Sequence, residues 1–166
     1  VNPGRYPEPA ISRLYRNDRG RFRLDLDNSR SFVDLGMVSG AIASDLDGDG
    51  DSDLAVALEW GPIRVWLNED GGFIDATESL GLSRYRGWWN GIAAGDFDED
   101  GRIDLIASNW GRNTKYERYR DESIRISYGD IDGNGTVETF EQVYDVGSKR
   151  WGSIRDLIDM GSAIPS

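Results

Sequence analysis

Short apolar runs recur along the chain, broken by glycines and by clusters of acidic residues, and no stripe of 3.6-residue period survives those glycines. The pattern predicts strands. Ala41–Ser44 leads into an Asp-rich segment and Leu54–Leu58 leaves it. Ile63–Leu67 follows Gly61 and Pro62, which read as a turn, and Phe73–Thr77 follows Gly71 and Gly72. The ends differ. Residues 1–10 carry Pro3, Pro7 and Pro9 and predict an extended lead-in. In the tail, residues 146–166, Ser153 is placed to cap a short C-terminal helix with Ile154, Leu157 and Ile158 on one face and Gly161 beyond its end.

The strand pattern repeats. The run Asp45–Leu54 returns as Asp96–Leu105, an offset of 51 residues. The same offset carries Asn17 onto Asn68, Gly20 onto Gly71, Phe22 onto Phe73, Gly36 onto Gly87 and Gly40 onto Gly91. No insertion or deletion is needed between about residue 13 and residue 110. A third Asp-rich run, Asp130–Glu138, breaks the period, and the stretch from Gly111 to Ser123 replaces the strand pair of a full unit. Four short strands in about 50 residues is what a β-propeller blade requires. The expected fold is therefore all-β, with tandem four-stranded antiparallel repeats over residues 11–145, two regular and one shortened.

Composition narrows the chemistry. The chain of 166 residues has 19 Lys and Arg against 30 Asp and Glu, a net charge of −11. Nucleic acid and anionic membranes reward positive charge and are poor partners for it. With neither Cys nor His, disulfides, thiolate metal sites, the Ser-His-Asp triad and the usual zinc ligand are all absent. No apolar run approaches the roughly 20 residues needed to span a bilayer. No signal peptide is visible and Val1 is not an initiator Met, so a mature product or an excised piece is expected.

The chemistry lies in the Asp-rich runs. In the pattern D-x-D-x-D-G-x-x-D, alternate side chains of a tight loop converge on one point, and glycine at the sixth place permits the turn. Calcium takes six to eight oxygens at about 2.3–2.6 Å, a set such a loop supplies; magnesium prefers smaller octahedral sites and keeps its waters. The expected ligands are Asp45, Asp47, Asp49 and Asp53 with the Asp51 carbonyl in the first loop. In the second they are Asp96, Asp98, Asp100 and Asp104 with the Arg102 carbonyl. In the third they are Asp130, Asp132, Asn134 and Glu138 with the Thr136 carbonyl. Glu141 stands at the twelfth place, where an EF-hand puts its bidentate Glu, but Ser123–Gly129 alternates like a strand, which favours a β-type site. Two to three Ca²⁺ ions are expected.

These units resemble the FG-GAP (VCBS) repeats of integrin α-subunits and of many secreted bacterial proteins. Leu14–Asn17, Phe73–Glu78, Gly81–Leu82, Asn109–Tyr116 and Tyr128–Gly135 are similar to the bacterial ASPIC/UnbV-associated subgroup. The resemblance covers about residues 11–145 and implies propeller blades, with calcium in the loop between two strands at the positions named above. It implies a parent ring of about seven blades, of which this chain supplies barely three. Glu138 departs from the family, which more often has Asp there.

A calcium-binding module of a secreted, periplasmic or cell-surface protein, binding protein or glycan, follows as the expected function. Tyr85, Arg86, Trp88 and Trp89 lie on a connection between units and are candidate sugar-stacking residues, although large rings also seal adjacent sheets. Open blade edges make self-association a further expectation. The alternative is part of a calcium-dependent polysaccharide lyase or glycosidase. No catalytic residues are assigned, because the clustered carboxylates serve metal and Glu59, Glu78, Asp121 and Glu122 are scattered.

Overall fold

A computed structural model describes residues 5–111, 114–119 and 121–154. These divide into two compact units, Pro9–Trp110 and the remaining described residues.

The first unit opens with a hairpin of β1 (Tyr15–Asp18) and β2 (Arg21–Leu24), turned through Arg19 and Gly20 with positive φ. A short helix, α1 (Leu26–Ser29), follows, capped by Asp25, whose side chain accepts a bond from the Asn28 N–H. Four residues are too few to print a helical period, so the strand pattern gave no sign of it. The chain then runs through β3 (Met37–Ser44), β4 (Asp53–Pro62), β5 (Arg64–Glu69) and β6 (Gly72–Asp75), an antiparallel meander of four strands. Gly61 and Pro62 do not form the expected turn. They extend β4 and pair with Gly87 and Arg86 of β7 (Arg86–Gly95), and the bend falls instead at a bulge where Trp60 adopts φ 62°. β8 (Asp104–Asn109) pairs with β7 and ends the sheet, whose order is β6-β5-β4-β7-β8 with β3 on β4.

Burial is concentrated on the first repeat. Val56, Leu58 and Trp66 from the sheet pack with Phe32 and Leu35 from the segment after α1, and Leu14, Leu54 and Phe73 border them. Phe32 meets Trp66 and Phe73 edge-on, at ring-centre distances of 5.1 and 5.7 Å. Successive repeats meet through β3 and β7. A Cβ on Gly40 would stand 3.4 Å from the Gly91 backbone, and the Ser39 hydroxyl donates to the Ala57 and Trp89 carbonyls. Gly40 and Gly91 are repeat equivalents; the same place in the third repeat is Arg125.

The second unit holds a three-stranded antiparallel sheet in the order β11-β10-β9, formed by β9 (Ile124–Gly129), β10 (Glu138–Asp145) and β11 (Arg150–Ser153). The described residues are thus mostly β-sheet, and none of the sheets among them closes on itself. Ser153 ends β11; the helix expected beyond it, with Leu157, Ile158 and Gly161, lies outside the described residues, as do Val1–Gly4 of the lead-in.

Candidate metal centre

Each Asp-rich loop joins two antiparallel strands: β3 to β4, β7 to β8 and β9 to β10. The strands set the span of the loop, and the loop's own side chains fold it. The first-position carboxylate accepts backbone N–H groups from across the turn: Asp45 from Gly48 and Gly50 at 2.8 and 3.1 Å, Asp96 from Asp100 and Gly101 at 3.0 and 2.9 Å, and Asp130 from Gly135 at 3.0 Å. The third-position carboxylates of Asp47, Asp98 and Asp132 each accept from the N–H two residues on. Such Asx bonds stabilise a tight turn without help from tertiary structure. The turn also needs left-handed backbone at its fourth and sixth places. Glycine provides it everywhere except at Glu99, which takes φ 62°.

The ninth position closes the loop. Asp53 accepts from the Leu46 N–H at 2.7 Å, Asp104 from Phe97 at 3.0 Å and Glu138 from Ile131 at 2.7 Å. Glu138 is one methylene longer than Asp and makes the same bond. Asp53 is only 1% exposed, and its other oxygen accepts the Asn68 N–H at 2.8 Å, tying the loop to β5.

In each loop, one oxygen from each of the first, third and ninth side chains lies within 4.8 Å of the others: Asp45, Asp47 and Asp53; Asp96, Asp98 and Asp104; Asp130, Asp132 and Glu138. The donor set is all oxygen and anionic, which suits a hard divalent cation and not a soft one. The triads as grouped by distance do not include Asp49 or Asp100. Asp49, Asp100 and Asn134 accept, as the third-position carboxylates do, from the N–H two residues on, here those of Asp51, Arg102 and Thr136, the three residues expected to offer carbonyls. Asp100 is also held by the Arg102 guanidinium at 2.6 Å, which, with the Arg102 N–H, keeps its carboxyl below the usual range. Nothing in the spacing of the motif signalled that side-chain role of Arg102.

Glu141 is engaged elsewhere. Its buried carboxylate accepts from Lys115 Nζ and the Tyr116 hydroxyl, both at 2.5 Å. Both flanks of the third loop are strands, whereas an EF-hand loop is flanked by helices.

The aromatic candidates make separate contacts. The Trp88 ring is stacked on Trp110 at 4.0 Å and 9° and lies 4.8 Å from Trp60. Trp89, its strand neighbour, donates through Nε1 to the Tyr85 carbonyl at 3.2 Å. Tyr85 is exposed with Arg84 over its ring, and Arg86 is exposed at the start of β7.

Two strand-flanked loops with one hydrogen-bonding scheme, 51 residues apart, mark a repeat that is recognisable beyond this chain. Residues 45–107 match the FG-GAP-like repeat. The matched FG-GAP-like segment spans both of the first two loops and the strands between them. Cartilage acidic protein 1 of Homo sapiens is 32% identical over 79 residues, which are 47% of this chain and 11% of that protein. Cartilage acidic protein 1 of Xenopus tropicalis is 29% identical over 81 residues, 48% of this chain and 12% of that protein. The chain thus spans about a tenth of the length of these curated relatives. No solved structure matches it significantly. No helix among the described residues is long and apolar enough to cross a membrane.

Proposed function

We propose that this chain is a calcium-binding module built from FG-GAP-like propeller blades, part of a secreted or cell-surface protein that binds protein or glycan. The observation that carries the reading is the threefold recurrence of a convergent carboxylate triad in the same strand-flanked loop. Three carboxylates held this close repel one another unless a cation lies between them, so folding the loop and binding the ion favour each other. In the first loop Asp45, Asp47 and Asp53 hold the ion, and Asp49 and the Asp51 carbonyl complete its shell. Asp96, Asp98 and Asp104, with Asp100 and the Arg102 carbonyl, do so in the second. Asp130, Asp132 and Glu138, with Asn134 and the Thr136 carbonyl, do so in the third.

The role of the metal is structural. Each loop joins two neighbouring strands, and an ion in it locks their relative register and exit angle. The match to the FG-GAP-like repeat supports an extracellular setting, where calcium is abundant.

Titration with calcium tests the reading. If each occupied site holds calcium at roughly 100 times its Kd, it contributes about 2.7 kcal/mol. Two or three such sites rival the ~5–15 kcal/mol net stability of a typical domain. EGTA is therefore expected to lower Tm by many degrees, and Asp47→Ala or Asp98→Ala to reproduce part of that loss. A melting curve indifferent to EGTA sinks the proposal.

A further inference from the structure

We propose that Asn134 is a self-modifying residue: in the folded third loop its side-chain amide is lost to attack by the Gly135 nitrogen, and a carboxylate takes its place. The inference does not require any loop to hold a metal.

An asparagine followed by glycine is the step least hindered for this reaction, since glycine has no Cβ to shield its nitrogen. The chain has two such steps, Asn90–Gly91 and Asn134–Gly135. The fold treats them differently. Asn90 lies within β7, at the bulge between Trp89 and Gly91, and Gly91 stands opposite Ser108 in the ladder of β7 on β8. Asn134 is exposed in the loop between β9 and β10, outside any ladder.

Three hydrogen bonds surround the reacting atoms of the second step. The Thr136 N–H donates to Asn134 Oδ1 at 2.7 Å. A backbone N–H only donates, so the oxygen of the amide and not its nitrogen faces Thr136. This bond closes a turn that holds the side-chain carbonyl against the peptide containing the Gly135 nitrogen. It also supports the negative charge that grows on Oδ1 when Cγ is attacked. The Gly135 N–H donates to Asp130 Oδ2 at 3.0 Å, and a carboxylate in that place draws the proton outward and enriches the nitrogen. Asn134 Nδ2 donates to Asp132 Oδ2 at 2.9 Å, which holds the leaving group. Nucleophile, electrophile and leaving group are thus positioned together. Nothing lies within 4 Å of the place a Cβ on Gly135 would occupy, so water reaches the site.

The Gly135 nitrogen bonds to Cγ, the Cγ–Nδ2 bond breaks, and the proton lost by that nitrogen passes through water to Nδ2, which leaves as ammonia. The five-membered imide then takes up one water. Opening at Cγ leaves an aspartyl residue. Opening at the main-chain carbonyl leaves an isoaspartyl linkage, whose backbone is one methylene longer.

The other loops hold the same cradle around a residue that is already a carboxylate. Asp49 accepts from the Asp51 N–H while the Gly50 N–H goes to Asp45, and Asp100 accepts from Arg102 while the Gly101 N–H goes to Asp96. Their negative charge repels an electron-rich nitrogen. The aspartyl product at position 134 gives the third loop the four acidic side chains that the first two carry at positions one, three, five and nine.

Incubation in EGTA at neutral pH, followed by peptide mapping with mass spectrometry, measures amide loss at both steps. In the folded chain Asn134 is expected to convert at least about tenfold faster than Asn90. In urea only local sequence separates the two steps, and their rates are expected to converge. Co-elution with the same peptide from Asn134→Asp, and labelling by an isoaspartyl methyltransferase, distinguish the two products. Asp130→Asn, which removes the charge facing the Gly135 N–H, is expected to slow conversion severalfold with circular dichroism unchanged. Equal rates at the two steps in the folded chain, an Asn134 rate that rises on unfolding, or an unchanged rate in Asp130→Asn overturns the inference. All arms are run without calcium, so the metal reading stands or falls separately.

Discussion

Asp53 and Asp47 belong to one triad and differ in what they do without an ion. Asp53 is buried and satisfies the Leu46 and Asn68 N–H groups, whereas Asp47 is exposed and satisfies only the Asp49 N–H. Leaving a buried donor unsatisfied costs about 1–3 kcal/mol, so Asp53→Ala is expected to lose roughly 2–5 kcal/mol even in EGTA. Asp47→Ala in EGTA is expected to stay within about 1 kcal/mol of the parent. Urea unfolding in chelator compares them; equal losses contradict the division of labour. Asp25 is a second carboxylate with a local role, held at about 2 by bonds from the Asn28 side chain, the Arg16 guanidinium and the Asn28 N–H. Its folded pKa lies below its unfolded one, so the stability it confers is present above about pH 4 and is lost as the pH falls towards 2. Asp25→Asn is expected to flatten stability against pH in that window, and an NMR titration placing the Asp25 carboxyl near 4 argues against it.

At the scale of elements, the third loop shows how flanking structure selects a ligand set. It enters β10 directly at its ninth residue, so Glu138 stays beside Asp130 and Asp132. A strand rises about 3.3 Å per residue and carries Glu141 some 10 Å further on, where Lys115 and Tyr116 take its carboxylate. Calorimetry on Glu138→Ala is expected to lose one calcium-binding event, and Glu141→Ala to keep all of them. The opposite result assigns the loop to the EF-hand type. The strand flanks were legible in the alternation of Ser123–Gly129, and the four strands of the first repeat in their apolar runs. The bend of β4 was not, because Gly61 and Pro62 carry a turn's residue types while pairing with β7.

For the molecule as a whole, repeat-on-repeat packing depends on small residues where β3 meets β7. Gly40 approaches the Gly91 backbone, while a Cβ on Gly91 would meet only the Ser108 hydroxyl, at 3.6 Å. Gly40→Val is therefore expected to cost about 1–3 kcal/mol through overpacking, more than Gly91→Ala does. Thermal melts of the two variants compare them, and a Gly40→Val protein as stable as its parent contradicts the close approach.

By itself the sequence determined the strand-forming runs, the 51-residue period and the three acidic loops, because these follow from local periodicity and from turn residues at fixed offsets. Only the tertiary structure decided that the Trp88 ring meets those of Trp60 and Trp110, and that Gly61 and Pro62 pair with β7. Stacking and strand pairing of this kind join residues more than twenty positions apart along the chain, and no local pattern encodes which distant partner arrives.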